Sequence, residues 1–340
     1  MQSPMSISRR QLLKSAAAAG CVAAAGGISR AWAQGAQRIE RLDPALDRIL
    51  SVSQPIQELG SGYGGTMGPA EGPLWWKEGG YLLFNDIHND RRMKYTPGQG
   101  VTLEKQGVNR ANGLTRDMKG RLLSCEHDSR RVTRVELDGS LTVVANSFQG
   151  RRLSRPNDVI VKSDGSMFFT DPNPSIVPEQ WDMQHSGVFR VTADLGTMTL
   201  LFDNFVFPNG LMFSPDERVL YVNDLRRNLI RAFDMQPNGL PAKQTDRIFA
   251  DLSGAEPGAA DGMKVDIEGN VYCGGSGGLY FLDAKGKKLG RIVHGQPATT
   301  NVAFGGDDWK TLYITTRSHL LSVNVNIPGM PVPTTATVKK

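Results

Sequence analysis

Six short segments of the sequence begin with a side chain that carries an oxygen donor. All but the last continue with Gly or Asp and then an apolar residue. The six leading residues are Glu71, Asn112, Asn157, Asn209, Asp261 and Asn301. None of them offers sulfur or imidazole nitrogen, and carboxylate and amide oxygens suit Ca²⁺ far better than a structural zinc ion. Two carboxylates would also balance the charge of one divalent cation.

The leading residues can act together only if the fold brings them to one place. They are 40 to 52 residues apart, and each is followed by a turn and a second short apolar run. This period, without a convincing helix of ten or more residues after the N-terminal segment, is typical of a β-propeller built from four-stranded blades. The sequence therefore predicts an all-β, six-bladed β-propeller.

In a propeller the inner strand of each blade lines the central channel. We therefore expect the six leading residues to converge at about the same height. Carboxylates and amides crowded in an empty, poorly solvated channel would be unfavourable, and a cation resolves that conflict. The ordinary alternative for any one of them is that it only caps a loop.

Closure of the ring involves both ends of the chain. The sixth blade begins near Asn301, but coherent sequence stops near Pro328, which leaves too few residues for four strands. We expect residues 49–59 to supply its outer strand and so to remove an exposed sheet edge. The predicted propeller spans residues 34–329, and residues 330–340 are expected to form a loose tail.

The N-terminal segment has the features of a twin-arginine export signal. Arg9 and Arg10 precede a weakly apolar Ala/Gly run, which ends at the small-x-small site Ala31 to Ala33. Removing residues 1–33 takes away four basic residues and reduces the net charge from +5 to +1. We therefore expect a periplasmic protein that depends on the twin-arginine machinery for export, without a basic patch for nucleic acid.

Several other classes of protein are excluded. Outside the extreme N-terminus no apolar stretch approaches the ~18 residues of a membrane helix, so no membrane insertion is expected of the mature form. Cys125 and Cys273 are its only cysteines, and we expect two unpaired, buried thiols. No apolar stripe demands a partner subunit, which favours a monomer.

With these motifs in hand, the chain resembles the family of gluconolactonase, senescence marker protein (regucalcin) and luciferin-regenerating enzyme. It is similar above all to the bacterial gluconolactonase branch. The resemblance covers about residues 66–325. Its motifs lie around Glu71, Asn157 to Pro172, Asn209 to Glu217, Asp261 to Tyr272 and Asn301 to Asp307.

The resemblance implies a channel metal held by Glu71, Asn157, Asn209 and Asp261. Ca²⁺ is favoured, with Zn²⁺, Mg²⁺ and Mn²⁺ as alternatives. It also implies that Arg155 contacts the substrate. After Asp171 and Pro172 the chain reads Asn173-Pro174-Ser175, where close gluconolactonases have an aromatic-containing loop. The identity of the lactone therefore stays open.

The implied activity is metal-dependent hydrolysis of a sugar lactone. Asp261 is the candidate general base and Arg155 its catalytic partner, with Asn112 and Asp171 as further candidate substrate-binding residues. Asn112 could instead cap a loop, and Asp171 could order a turn. A related calcium-propeller esterase or phosphotriesterase, and a non-catalytic binding propeller with a structural metal, are the alternative functions.

Overall fold

Turn-forming residues divide the chain into short apolar runs, and in the computed structural model nearly all of these runs are antiparallel strands. The structure describes residues 37–174 and 181–333. Within them the strands form six sheets of four or five strands and one additional two-stranded hairpin. The predicted six-bladed all-β propeller is confirmed.

Two strands precede the first blade: β1 (Arg38–Arg41) and β2 (Gln57–Ser61), with a short 3-10 helix at Pro44–Arg48 between them. The first three blades follow in chain order. Blade 1 comprises β3 (Ala70–Trp76), β4 (Tyr81–Asp86), β5 (Arg91–Thr96) and β6 (Gly100–Gln106); blade 2 comprises β7 (Ala111–Arg116), β8 (Leu122–Glu126), β9 (Arg131–Val135) and β10 (Leu141–Ala145), followed by the hairpin of β11 (Ser147–Phe148) and β12 (Arg151–Arg152); blade 3 comprises β13 (Val159–Val161), β14 (Met167–Asp171), β15 (Gly187–Val191) and β16 (Met198–Phe202).

The last three blades repeat the same plan. Blade 4 comprises β17 (Pro208–Phe213), β18 (Val219–Asp224), β19 (Leu229–Asp234) and β20 (Arg247–Asp251); blade 5 comprises β21 (Met263–Val265), β22 (Val271–Gly275), β23 (Gly278–Leu282) and β24 (Lys288–Val293); blade 6 comprises β25 (Thr299–Gly305), β26 (Thr311–Thr316) and β27 (His319–Asn324). Two further 3-10 helices lie at Lys77–Gly79 and Lys243–Thr245.

Aromatic side chains hold adjacent blades together. Phe168 of blade 3 meets Phe213 of blade 4 edge to face, with ring centroids 5.0 Å apart. Trp75 of blade 1 stacks on Tyr313 of blade 6 at 5.6 Å, which packs the first blade against the last. Such pairs add specific geometry to the burial of large apolar surfaces, so the blades form a continuous wall around the channel.

Both N-terminal strands complete C-terminal blades. β2 pairs with β27 as the outer strand of blade 6, which confirms the predicted closure, although the strand spans Gln57–Ser61 rather than residues 49–59. β1 pairs with β24 as a fifth strand of blade 5, an element that the sequence analysis missed. Three of the four residues of β1 are charged, so the strand lacks the apolar pattern of the other strands. Glu40 is bound by Arg291 of β24 (2.6 Å), and only Ile39 is buried.

The start of the predicted tail lies against inner strands of the propeller, where Met330 and Val332 line a small cavity with Leu114, Ile160 and Met212. The Met330 N–H donates to the Val265 carbonyl of blade 5 (3.1 Å), and the Gly329 N–H donates to the Trp309 carbonyl (2.9 Å). Residues 330–333 are therefore anchored rather than loose. Residues 334–340 lie outside the described part of the chain, as does the predicted export signal.

Two smaller predictions can be compared with the structure. Cys125 and Cys273 are free and buried, as expected. Within residues 37–174 and 181–333, no helix is long and apolar enough to cross a membrane.

Candidate active site

The inner strands of blades 1, 2, 4 and 6 begin with local irregularities near the leading residues. The pairing of β3 with β4 shifts between Glu71 and Leu74, and that of β17 with β18 shifts between Pro208 and Leu211. β7 shows the same shift after Ala111. Such bulges bend a strand locally and redirect side chains, here at the residues that reach the channel.

Glycine follows four of the leading residues because the inner strands approach one another closely there. A Cβ on Gly113 would lie 2.7 Å from the Asn157 carbonyl oxygen, and one on Gly210 would lie 2.5 Å from that of Asp261. Gly72 and Gly262 are even more crowded: a Cβ would lie 2.0 Å from the Asn112 carbonyl oxygen and 1.9 Å from the Asn301 side chain. The repeated glycine thus allows the ring to close tightly around the channel.

Second-strand side chains fix the channel backbone of the following blade. Asn85 donates to the Asn112 carbonyl (2.6 Å) and Thr170 donates to that of Asn209 (2.7 Å). Asn223 donates to the Asp261 carbonyl. Blades 1, 3 and 4 therefore each position the channel residue of the next blade.

A cavity of about 260 Å³, here called the channel cavity, opens above these residues. Five of the six leading residues line it, together with Arg155, His127 and a rim that includes Ile87, Phe207, Leu225 and Arg317. The five are Glu71, Asn112, Asn157, Asn209 and Asp261.

Asn301 differs from the other leading residues and is not part of the cavity lining. Its Nδ2 donates to Glu71 Oε2 (3.1 Å) and to Asp158 Oδ2 (3.5 Å), and its Oδ1 accepts from the Val302 N–H (2.8 Å). The expectation that all six converge at one height therefore holds for five. Asn301 supports Glu71 from behind.

Three buried carboxyl groups interact at the channel. Burial raises the pKa of Glu71 well above its usual value, and the nearby Asp261 raises it further. Burial, reinforced by Asp158, raises the pKa of Asp261 to about 8. Burial also raises the pKa of Asp158. In the metal-free protein these acids therefore retain protons well above their ordinary range.

The donor set fits a hard divalent cation. Asp261 Oδ1 and Asn209 Oδ1 are buried and have no hydrogen-bond partner in the described chain, although buried polar atoms are normally paired. A cation at this point would satisfy both atoms and favour ionisation of Glu71 and Asp261. Among the described residues no three His, Cys, Asp or Glu side chains alone form a metal site. A site here depends on asparagine oxygens as well.

Arg155 lies at the cavity with Asp171 behind it. Both oxygens of Asp171 accept from backbone N–H groups, of Arg155 (2.6 Å) and of Ser154 (2.8 Å). Asp171 is fully buried, burial raises its pKa to about 7, and it is not part of the cavity lining. The geometry therefore gives Asp171 the turn-ordering role, in place of direct substrate binding.

Asp171 belongs to a series that the sequence could have revealed. The second strands of blades 1, 3 and 4 all end in Asp, at positions 86, 171 and 224. Asp224 accepts from the Val206 and Phe207 N–H groups, as Asp171 of the preceding blade accepts from those of Ser154 and Arg155. Each of these carboxylates anchors the loop that leads into the inner strand of its own blade.

Asn112 and His127 form a pair that was predicted only in part. Asn112 lines the cavity as expected, and its amide lies 3.3 Å from His127 Nε2. His127 is buried just after β8, and burial, together with Arg155, lowers its pKa well below its usual value. Its place in the site could not be foreseen, because no metal-ligand spacing or local motif accompanies it.

The fold and the channel define the class of protein. The chain is a six-bladed propeller whose inner strands present buried carboxylates and amides to a cavity at one end of the channel. Residues 69–318 match the SMP-30/Gluconolactonase/LRE-like region. The chain therefore belongs to the SMP-30/gluconolactonase/luciferin-regenerating-enzyme family.

Curated relatives agree with this assignment. The chain is 30% identical over 319 residues to a gluconolactonase of Zymomonas mobilis, covering 86% of this chain and 87% of the relative. It is 32% identical over 250 residues to a pentonolactonase of Haloferax volcanii, covering 72% and 80%. The structure of a Xanthomonas campestris gluconolactonase superimposes with a TM-score of 0.73 at 29% identity, covering 85% and 95%. These relatives are named as lactone-hydrolysing enzymes, so the predicted enzyme class is confirmed at that level.

Proposed function

We propose that this protein is a calcium-dependent hydrolase of sugar lactones that acts in the periplasm. The observation that carries the proposal is the pair of unpartnered buried oxygens, Asp261 Oδ1 and Asn209 Oδ1, on the wall of a cavity that Arg155 also lines. An ion with a purely structural role would not need a guanidinium at the same cavity.

Glu71, Asn157, Asn209 and Asp261 would hold the ion. All four line the channel cavity, and all are hard oxygen donors of the kind that Ca²⁺ prefers. Their two carboxylates offset the charge of a divalent cation. When bound, the cation supplies Lewis-acid stabilisation of the negative charge that develops on the lactone carbonyl oxygen.

The protein's own groups carry the remaining steps. The Asp261 carboxylate accepts a proton from the attacking water, whose oxygen forms a bond to the carbonyl carbon. The ring C–O bond then breaks and the ring oxygen takes up the proton that Asp261 accepted, which yields the open-chain hydroxy acid and regenerates the Asp261 carboxylate. Arg155 donates hydrogen bonds to a substrate oxygen and so fixes the lactone over the channel.

The substrate class follows from the relatives. Those named above act on gluconolactone and pentonolactone by their names, which favours a five- or six-carbon aldonolactone here. We also propose that the active protein is a monomer, because no apolar stripe of the sequence demands a partner subunit. The N-terminal segment with Arg9 and Arg10 favours export through the twin-arginine machinery. Changing Arg9 and Arg10 to Lys should then retain the precursor in the cytoplasm, and an unchanged periplasmic yield would argue against this route.

A substrate panel tests the activity. Aldonolactones, an aryl ester and a phosphotriester are assayed with the metal-loaded protein, after chelation and after Ca²⁺ is restored. We expect hydrolysis of an aldonolactone that chelation abolishes and Ca²⁺ recovers. Full activity after exhaustive chelation would exclude the metal-dependent mechanism. Preference for the ester or phosphotriester would identify a different hydrolase, and no turnover of any compound would favour a binding propeller.

A further inference from the structure

Two neutral side chains of the channel cavity have polar groups that the protein does not use. Asn112 and His127 both line the cavity and are only 4% and 8% exposed. Asn112 Oδ1 and His127 Nδ1 are buried and have no hydrogen-bond partner among residues 37–174 and 181–333. Buried polar atoms without partners are costly, so this part of the wall is suited to a polar ligand.

The contact between the two side chains determines what they offer. If the Asn112 Nδ2 donates to His127 Nε2, an oxygen acceptor and the Nδ1–H donor remain free. If the amide is turned over and His127 Nε2–H donates to Asn112 Oδ1, the amide N–H donors and the Nδ1 acceptor remain free. In both arrangements two cavity-lining side chains keep a donor and an acceptor without a partner among the described residues.

One donor beside one acceptor matches a hydroxyl group, which both donates and accepts. Neither side chain is charged, so the pair does not compete with the carboxylates for a cation. Arg155, on the same wall, offers only donors. A lactone without ring hydroxyls would leave both free atoms of the pair unsatisfied.

Backbone hydrogen bonds hold the main chain of His127 in place. Its N–H donates to the Arg110 carbonyl (3.4 Å), and its carbonyl accepts from the Arg130 N–H (3.2 Å). Asn112 is held in turn by the Asn85 bond to its carbonyl. A pre-formed donor and acceptor discriminate strongly between ligands. An analogue that lacks the hydroxyl displaces water but leaves both polar atoms without a hydrogen bond.

We propose that His127 and Asn112 form a hydroxyl-binding pair that selects polyhydroxylated lactones over alkyl lactones. This inference rests on the proposed lactone hydrolysis and adds His127 as a specificity-determining residue. Asp261 remains the base, and His127 takes no proton from water.

Two substitutions separate the nitrogens of His127. His127→Gln places an amide near the Nε2 position, which retains the bond to Asn112 and removes the group at Nδ1. His127→Asn places an amide near the Nδ1 position and removes the contact with Asn112. Both variants are checked for unchanged thermal unfolding with Ca²⁺, so that a folding defect is recognised.

The kinetic test compares glucono-1,5-lactone with δ-valerolactone on the metal-loaded protein. For His127→Gln we expect kcat/KM to fall roughly 10- to 100-fold with gluconolactone, with an unchanged pH profile, and to change by less than about 3-fold with δ-valerolactone. For His127→Asn we expect a smaller loss of kcat/KM with gluconolactone. Equal losses on both lactones, no loss on either, or a shifted pH profile would overturn the proposal.

A binding test is independent of hydrolysis. 1,5-Anhydro-D-glucitol has the ring hydroxyls of gluconolactone without its carbonyl, and its binding is measured by calorimetry. We expect about 10-fold weaker binding by His127→Gln than by the wild type. Equal affinities of the wild type and of His127→Gln would overturn the proposed hydroxyl-binding pair. If neither lactone is hydrolysed the proposed function fails, whereas weaker binding by the variant would still support hydroxyl recognition.

Discussion

At the residue scale, Asp261 combines two roles that substitution can separate. Asp261→Asn keeps an oxygen of nearly the same size but loses the negative charge and the basic lone pair. At saturating metal we expect turnover to fall by the ~10²–10⁴ typical of general-base catalysis. The measurement is kcat for an aldonolactone over a range of Ca²⁺ concentrations.

Asn209→Ala is the matched control, because it removes one neutral ligand and leaves the charge balance and the base unchanged. Its turnover should recover much further than that of Asp261→Asn when Ca²⁺ is raised. Equal recovery of the two variants would mean that Asp261 is only a ligand.

The buried acids also predict how stability depends on pH. Burial raises the pKa of Asp261 to about 8, so in calcium-free protein the folded chain holds a proton that the unfolded chain has already released. The free energy of unfolding should therefore fall as pH rises towards 8. His127 and His294 have lowered pKa values and act in the opposite sense, but only below about pH 6.5.

The free energy of unfolding of the chelated protein is therefore measured by denaturant unfolding between pH 6.5 and 8. Added Ca²⁺ should raise stability more at pH 8 than at pH 6.5, because protons and the cation compete for the same carboxylates. Asp261→Asn should flatten the slope. A wild-type stability that rises through this window would contradict the assignment.

Not every residue of the site could be predicted. The leading residues were found because the blade period repeats them, and the structure brings five of the six to one cavity. For Asp171 the sequence left substrate binding and turn ordering open, and only the fold shows that both of its oxygens accept from backbone N–H groups. His127 was missed because its importance depends on contact with Asn112, a residue of the neighbouring strand.

At the element scale, the glycine that follows four of the leading residues allows a test of how closely the inner strands approach. Gly72 has φ of 59°, and a Cβ there would collide with the Asn112 carbonyl oxygen. Gly139, in the turn between β9 and β10, has φ of 84° but no atom within 4 Å of such a Cβ. Gly139→Ala therefore measures the backbone cost alone, about 1–2 kcal/mol.

We expect Gly72→Ala to destabilise the protein by at least ~1 kcal/mol more than Gly139→Ala, and also to weaken Ca²⁺ binding, because Glu71 must move with the strand. Chemical denaturation and calcium titration check both effects. Equal destabilisation would mean that the inner strands can separate without penalty.

Strand prediction succeeded wherever apolar runs alternate with turns and failed where pairing partners are distant. The inner and second strands of all six blades lie close to their expected positions, because burial on both faces leaves a continuous apolar pattern. β1 was missed because its four residues include three charged ones. Their pairing with β24 depends on Arg291, about 250 positions away in the chain.

At the scale of the whole molecule, the two N-terminal strands should contribute unequally to stability. A chain that begins at Asp43 lacks β1 and still has four strands in blade 5. One that begins at Tyr63 also lacks β2, which leaves blade 6 with three strands, and loses the buried Leu46, Ile49 and Leu50. We expect a modest fall in Tm for the first chain and a much larger fall, with aggregation, for the second. Equal Tm values by calorimetry would show that β2 does not close the ring.

The pairing of β2 with β27 also determines when the ring can close during synthesis of the chain. β2 emerges from the ribosome early, but its partner β27 begins at His319, about 260 residues later. At translation rates of ~5–20 residues per second, β2 waits roughly 13 to 50 seconds without its partner. Ring closure is then necessarily among the last folding events, and pairing across such a sequence distance is intrinsically slow. Throughout that interval β1 and β2 lack their partners β24 and β27 and can pair with other strands. The yield of native protein should therefore depend on chaperone supply and on translation speed more than the stability of the finished propeller would suggest.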